Sequence, residues 1–358
     1  MRVFRKTLAM ALAGTLLATP LPAQSEPPLP VSPETAAAPS AQPFTCTNRH
    51  VLRHNGSRAA AKARPIARVR QDYEPRPAMW RLSDADTSIT IFGTFHVLPE
   101  GFRWRTPLFD RVVAEVDEVV FESRDDDDDA AAAEQGEVAV PAEELRFIEL
   151  MMRYRPAQPL SQRISERNRP KLTRMLQLAG IDAAQIDYAP PLITMFAIAD
   201  ATAEAEGSLR DFGVETVIEA EFKASGRPVS AIEDPIKVLE NLLALDEAQI
   251  IAMLEEGFDE WDGCALVEPG RTDWETEHGW AQGKLGDASI QEMMEDPFFK
   301  AFYQVLLVDR NRAWTEWLAQ RMEQPGKLLL AVGAGHMEGP DSVILMLEQR
   351  GFKVERIQ

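Results

Sequence analysis

The chain has 358 residues, a formal net charge of −19 and a pI of about 4.8. Its length and its 45% apolar content allow one large core or two smaller ones. The acidic balance repels phosphate backbones and anionic headgroups, which excludes nucleic acid and anionic membrane surfaces as expected partners.

The first residues, MRVFRKTLAMALAGTLLATPLPAQS, pass from basic (Arg2, Arg5, Lys6) to apolar (about Leu8 to Ala18) to turn-prone and small (Thr19, Pro20, Ala23). That order predicts a secretory signal over residues 1–23, cleaved after Ala23. The apolar run is too short to span a bilayer comfortably, so no stable membrane span is expected after cleavage. A periplasmic or secreted location follows. The two cysteines, Cys46 and Cys264, could pair in such an oxidising compartment, and their spacing alone leaves the pairing open. Residues 24–78 are rich in Pro and Ala, then basic, with no apolar period, and read as a disordered linker.

Order is expected from residue 79 onwards. Trp80 to Leu82 and Ser88 to Phe92 read as strands around a hairpin turn at Asp84 to Asp86. Leu108, Val112, Val113 and Val116 have helical spacing, and Val119 to Phe121 is a short buried strand ending at Glu122. The acidic run Asp125 to Asp129 reads as a solvated surface insertion, because blocks of like charge repel. From about 141 to 321 the pattern is that of a long helical insertion with Gly and Pro breaks. Within it, Pro228 to Ile232 reads as a strand ending at Glu233. The closing GKLLLAVGAGHMEGPDSVILMLEQRGFKVERI gives strand, Gly-rich turn, helix and a last strand.

Strand, GxxH, helix and strand therefore occur once at each end of this region, around Gly93–His96 and Gly333–His336. Strands joined by helices favour an α/β fold with a mostly parallel or mixed central sheet flanked by helices. In such sheets ligands bind at the carboxyl ends of the strands. His96, Glu122, Glu233 and His336 all fall there. Glycine ahead of each histidine lets the chain turn tightly and keeps bulk away from a ligand. Two histidines and a carboxylate are a known set for a divalent metal with an open coordination position. Glu233 reads either as a general base or partner for a ligating histidine, or as an ordinary helix-start residue. His50, His54 and His278 lie in polar surroundings and read as surface groups. HExxH, GxSxG, Walker and GxGxxG motifs are absent from the sequence.

Several segments resemble the TraB/GumN family, which is related to the animal Tiki proteins. They are GTFH, VVFE about 26 residues later, GVE followed by GRPVSAIED, DRN, and the closing AVGAGHMEGPDSVILMLEQRGFKVERI. The resemblance runs from about Met79 to Ile357. It implies an α/β core with a helical insertion and a metal-dependent hydrolase site. Tiki proteins are described as metalloproteases that use both GxxH histidines and an acidic residue with a transition metal. Carried over, this makes His96, Glu122 and His336 the metal ligands and catalytic groups. Arg310 and Asn311 match the family's Arg-Asn pair, and Arg310 reads either as a hold for a substrate carbonyl or carboxylate or as a helix salt bridge. The expectation is an exported hydrolase for a peptide or protein substrate, using a divalent transition metal (manganese, cobalt or zinc). The same residues also fit a non-catalytic haem- or peptide-binding periplasmic protein, or a metal-free esterase-like hydrolase with a GxxH histidine as base.

Overall fold

The computed structural model describes residues 44, 69–123, 142–267, 274–284 and 296–358. The expected leader over 1–23, the linker up to residue 68 apart from Phe44, His50, His54, Cys46 and the Asp125 to Asp129 run lie outside the described residues.

β1 (Met79–Ser83) and β2 (Thr87–Thr94) form the expected antiparallel hairpin. Asp84 closes its turn: its N–H donates to the Thr87 carbonyl, and its carboxylate accepts from Thr87 N–H at 2.9 Å. After the short β3 (Leu98–Pro99), α1 (Pro107–Glu115) starts at Thr106, whose hydroxyl accepts from Phe109 N–H. Pro107 follows the cap, where a missing N–H costs nothing. α1 buries Phe109, Val112 and Val113 and leads into β4 (Glu118–Phe121).

The helical stretch comprises α2 (Ala142–Arg153), α3 (Leu160–Arg163), α4 (Arg169–Ala179), α5 (Ala183–Ile186) and α6 (Pro191–Glu206). β5 (Ser208–Leu209) pairs with β3, and a 3-10 turn (Arg210–Phe212) passes the chain to α7 (Val214–Ala224) and β6 (Val229–Ala231). α8 (Pro235–Leu243), α9 (Glu247–Glu260), α10 (Glu275–Ala281) and α11 (Pro297–Tyr303) follow. A π-helical turn (Gln304–Val308) then runs into α12 (Asp309–Arg321). β7 (Gly326–Gly333), a 3-10 turn (Ala334–Met337), α13 (Val343–Gln349) and β8 (Val354–Arg356) complete the order.

The central sheet is mixed, in the order β6-β4-β7-β2-β1-β8. β6, β4, β7 and β2 run parallel, as crossover connections require. β1, tied to β2 by a tight turn, is antiparallel to it, and β8 is antiparallel to β1. The strand period of two splits the core cleanly. Leu329, Ala331, Val119, Phe121 and Phe92 face α1 and α7 on one side. Leu328, Leu330, Val332, Val120, Ile89 and Ile91 face α12 and α13 on the other. Strands buried on both faces read as near-continuous apolar runs, as Leu328 to Val332 of β7 do, while β2 sets small threonines between its apolar residues. The chain is therefore an α/β protein.

A second apolar body is built from α2, α4, α6, α8, α9 and α11 around residues such as Leu192, Leu242, Leu254 and Phe302. α6 is buried on most of its circumference, consistent with an apolar pattern that has no polar face. The expected insertion is thus divided in space: α7, β6, α10 and α12 belong to the sheet layers, whereas α2, α4, α6, α8, α9 and α11 form their own core. No helix among the described residues is long and apolar enough to cross a membrane.

Candidate active site at the carboxyl edge of the sheet

Strand register brings the candidate residues to one edge. Thr94 of β2 is opposite Gly333 of β7, and Phe121 of β4 is opposite both Ala331 of β7 and Ala231 of β6. The ladder continues one step further through Ile232 N–H to the Phe121 carbonyl and Glu233 N–H to the Glu122 carbonyl. Glu122 and Glu233 therefore leave adjacent strands side by side. The two GxxH turns also abut. A Cβ added at Gly93 would stand 3.0 Å from Ala334 Cα, so glycine is what lets β2 lie this close to the second turn.

Arg310 binds the two acids together. Its Nη2 donates to Glu122 Oε2 at 2.5 Å and also to Glu233, while Nε donates to Glu233 at 3.0–3.1 Å. Its Nη1 donates to the Leu306 carbonyl, in the π-helical turn, at 2.9 Å. Trp314 Nε1 donates to Glu233 Oε2 at 3.0 Å, and the guanidinium lies over the Trp314 ring. Burial opposes the charge on Arg310, but Glu122 and Glu233 outweigh it and raise its pKa further. Burial pushes Glu233 above the ordinary carboxylate value, Arg310 pulls it back, and the Glu122 charge adds to the rise. Arg310 thus bonds two protein carboxylates and one backbone carbonyl.

His336 is fully buried and packs against Trp314, with ring centroids 4.1 Å apart and the rings tilted by 35°. Its Nδ1 is hydrogen-bonded to Asn311 Oδ1. The amide cannot be turned round, because Asn311 Nδ2 donates to the Asp341 carbonyl at 2.7 Å and a carbonyl only accepts. Nδ1 therefore carries the proton and Nε2 carries the lone pair. Nε2 has no hydrogen-bond partner among the described residues and lies 3.6 Å from Glu122 Oε1. Burial first, then the charge of Arg310 and neighbouring His96, hold the His336 pKa well below its usual value. Glu122 Oε1 also accepts from Gly333 N–H, which fixes the carboxylate. Glu122 is thus bonded by Arg310 and Gly333, and the lone pair left without a partner among the described residues is that of His336 Nε2.

His96 is held differently. Its Nδ1 lies 2.8 Å from Glu215 Oε1, and Thr94 Oγ1 donates to the same oxygen. Burial opposes the Glu215 charge, but His96 and the bonds from His96 and Thr94 outweigh it and keep Glu215 below the ordinary range. Trp280 Nε1 donates to the Gly93 carbonyl at 2.9 Å, steadying the end of β2. His278, on the same helix as Trp280, is not a solvated surface group: its Nδ1 is 2.6 Å from Tyr73 Oη, and its ring packs on Phe102.

The TraB/PrgY/gumN family model matches residues 78–356. The chain belongs to the TraB/PrgY/gumN family. No curated protein and no solved structure matches it.

The donors of this TraB/PrgY/gumN chain fit a divalent ion in kind. Each GxxH histidine has Nδ1 engaged by an oxygen acceptor, the second-layer pairing that turns Nε2 toward a metal. His336 Nε2 is an orphaned buried lone pair beside a carboxylate. The spacing does less: among the described residues no three His, Cys, Asp or Glu side chains are already grouped around one point. Asn311, Trp314 and Glu215 were not singled out from sequence as having these roles. Asn311 and Glu215 do sit inside the DRN and GVE segments, but neither segment shows which histidine its polar side chain serves.

Proposed function

We propose that this chain is an exported, metal-dependent hydrolase acting on peptides. The observation that carries the reading is the His336 Nε2 lone pair, fixed by Asn311 and left facing Glu122 Oε1 at 3.6 Å in a buried site. A cation relieves that juxtaposition, and imidazole with carboxylate is a donor set for manganese, cobalt or zinc. His336, Glu122 and His96 would hold the ion. When bound, it supplies an acidified water and a polarised carbonyl. The chain's own residues prepare for this. Asn311 keeps the proton on His336 Nδ1, and Arg310 offsets the charges of Glu122 and Glu233 so that both carboxylates stay together. Glu233, raised by burial, is the neighbouring group best suited to hold a proton. Export is supported by the leader pattern in residues 1–23 and by the disulfide at Cys264, a bond typical of oxidising compartments.

The test is metal content by elemental analysis, beside cleavage of a broad peptide library, for wild type and His336→Ala. Wild type should take up about one divalent ion and cleave, and His336→Ala should lose both. Full metal retention in a folded His336→Ala protein, or a metal-loaded wild type that cleaves nothing, sinks the reading.

A further inference from the structure

The start of α7 grips the end of β2. Val214 N–H donates to the Phe95 carbonyl at 3.0 Å. Gly213 lies so close to the His96 carbonyl that any Cβ there would collide with it, and only glycine permits that approach. The Glu215 carboxylate then reaches the side chains on both sides of Phe95: it accepts from Thr94 Oγ1 and stands 2.8 Å from His96 Nδ1. Backbone contacts at 213 and 214 set α7 against the His96 peptide. The Glu215 side chain sets the ring against α7.

We propose that Glu215 is the positioning residue for His96. It keeps the proton on Nδ1, fixes the rotation of the ring, and assigns the donor role in the site to Nε2. Its purpose rests on the metallohydrolase reading, but its measurement does not. A carboxylate offers only acceptors, so the ring nitrogen facing it keeps its proton. A neutral imidazole without such a partner has two tautomers, and the hydrogen bond at one nitrogen decides the role of the other. Thr94 occupies part of the same carboxylate oxygen and so limits how the carboxylate can turn. The two GxxH histidines share one device made from different parts: an amide behind His336 and a carboxylate behind His96.

The experiment uses Glu215→Ala and Glu215→Gln in the full chain. Nitrogen-15 imidazole shifts of His96 are read without metal, on the alkaline side of its titration where the ring is neutral, and cobalt(II) affinity by competition with a chelator. Wild type should show His96 protonated at Nδ1. Glu215→Ala should show mixed tautomers and bind cobalt about 10- to 100-fold more weakly. Glu215→Gln keeps an oxygen that can accept from Nδ1, so it should retain the wild-type tautomer and lose less affinity. If Glu215→Ala does not fold, Glu215→Gln carries the test against His96→Ala: a Gln variant with the tautomer scrambled, or with cobalt affinity as low as His96→Ala, overturns the proposal. An unchanged His96 tautomer in a folded Glu215→Ala protein also overturns it. If wild type binds no cobalt but Glu215→Ala still scrambles the tautomer, the metallohydrolase reading falls and the positioning role stands.

Discussion

Arg310 sits among groups that could not tolerate its loss. Glu122, Glu233 and Arg310 are all largely withdrawn from water, and one guanidinium serves two carboxylates. Such a group owes its net value to mutual neutralisation, and removing the shared cation leaves buried charge without a partner. Arg310→Ala should therefore destabilise the fold by about 3–5 kcal/mol, the range for breaking a buried pair. Arg310→Lys should recover part of this, because an ammonium keeps the charge but lacks the planar fork that bonds both acids at once. Thermal denaturation reads both, and an Arg310→Ala protein melting with wild type would refute the account. The residue type at 310 was legible in the sequence, and so were the strand-end acids. Their mutual contact was not, because Glu122 is 188 residues from Arg310 and Glu233 is 77 away. From sequence the guanidinium reads either as a substrate hold or as a salt bridge, and its contacts with Glu122 and Glu233 make it a clasp between two acids.

Elements whose apolar period is local were open to sequence reading, and those fixed by distant partners were not. The β1–β2 hairpin, α1, β4 and β7 lie where alternation, capping and glycine place them. β5 is two residues long and exists through its pairing with β3, and the π-helical turn before Arg310 carries no signal in its residues. The link between α9 and the chain ahead of α4 is another long-range device. Glu255 on α9 accepts from the Ser165 N–H and hydroxyl, the latter at 2.8 Å, and from Asn168 Nδ2 at 2.6 Å. Burial opposes the Glu255 charge, but these bonds outweigh it and hold its pKa below the ordinary value of 4.5. The unfolded chain then binds the proton more readily than the native one. The stabilisation is complete above the ordinary value and is lost as pH falls from there through the folded value. Glu255→Gln should be less stable than wild type near neutrality, with a flatter loss of stability as pH falls below the ordinary value of 4.5. Other lowered carboxylates, such as Asp234, titrate in both proteins, so only the difference in slope reports Glu255. Urea midpoints measured across that window decide it, and equal slopes would remove Glu255 from the argument.

At the scale of the whole molecule, one covalent crosslink is anchored beside the helical body, at Cys264. Cys264 follows α9 and is disulfide-bonded, and Cys46 is the sequence's one other cysteine. Phe44, two residues from Cys46, lies against Gly263 so closely that a Cβ there would strike its ring. Gly263 also has φ of 79°, a left-handed backbone that favours glycine, so the site is shaped for this contact in two ways. The sequence allowed the pair but could not supply the geometry, because a crosslink needs the two backbones brought within reach. A bond from 46 to 264 encloses roughly two hundred residues, and the chain-entropy account gives such a loop about 5 kcal/mol as an upper figure. Strain and residual structure in the unfolded chain reduce it, so about 2–4 kcal/mol is the working expectation. Non-reducing peptide mapping should recover one fragment containing both cysteines. Cys264→Ser, or wild type treated with a thiol reductant, should then unfold at a lower denaturant midpoint by an amount in that range. The site residues lie at the sheet edge and Cys264 follows α9, so metal uptake at 25 °C should survive reduction while thermal resistance falls. Reduction that abolishes metal uptake below the unfolding transition would show that the tether also holds the site, and an unchanged midpoint would show that it holds nothing.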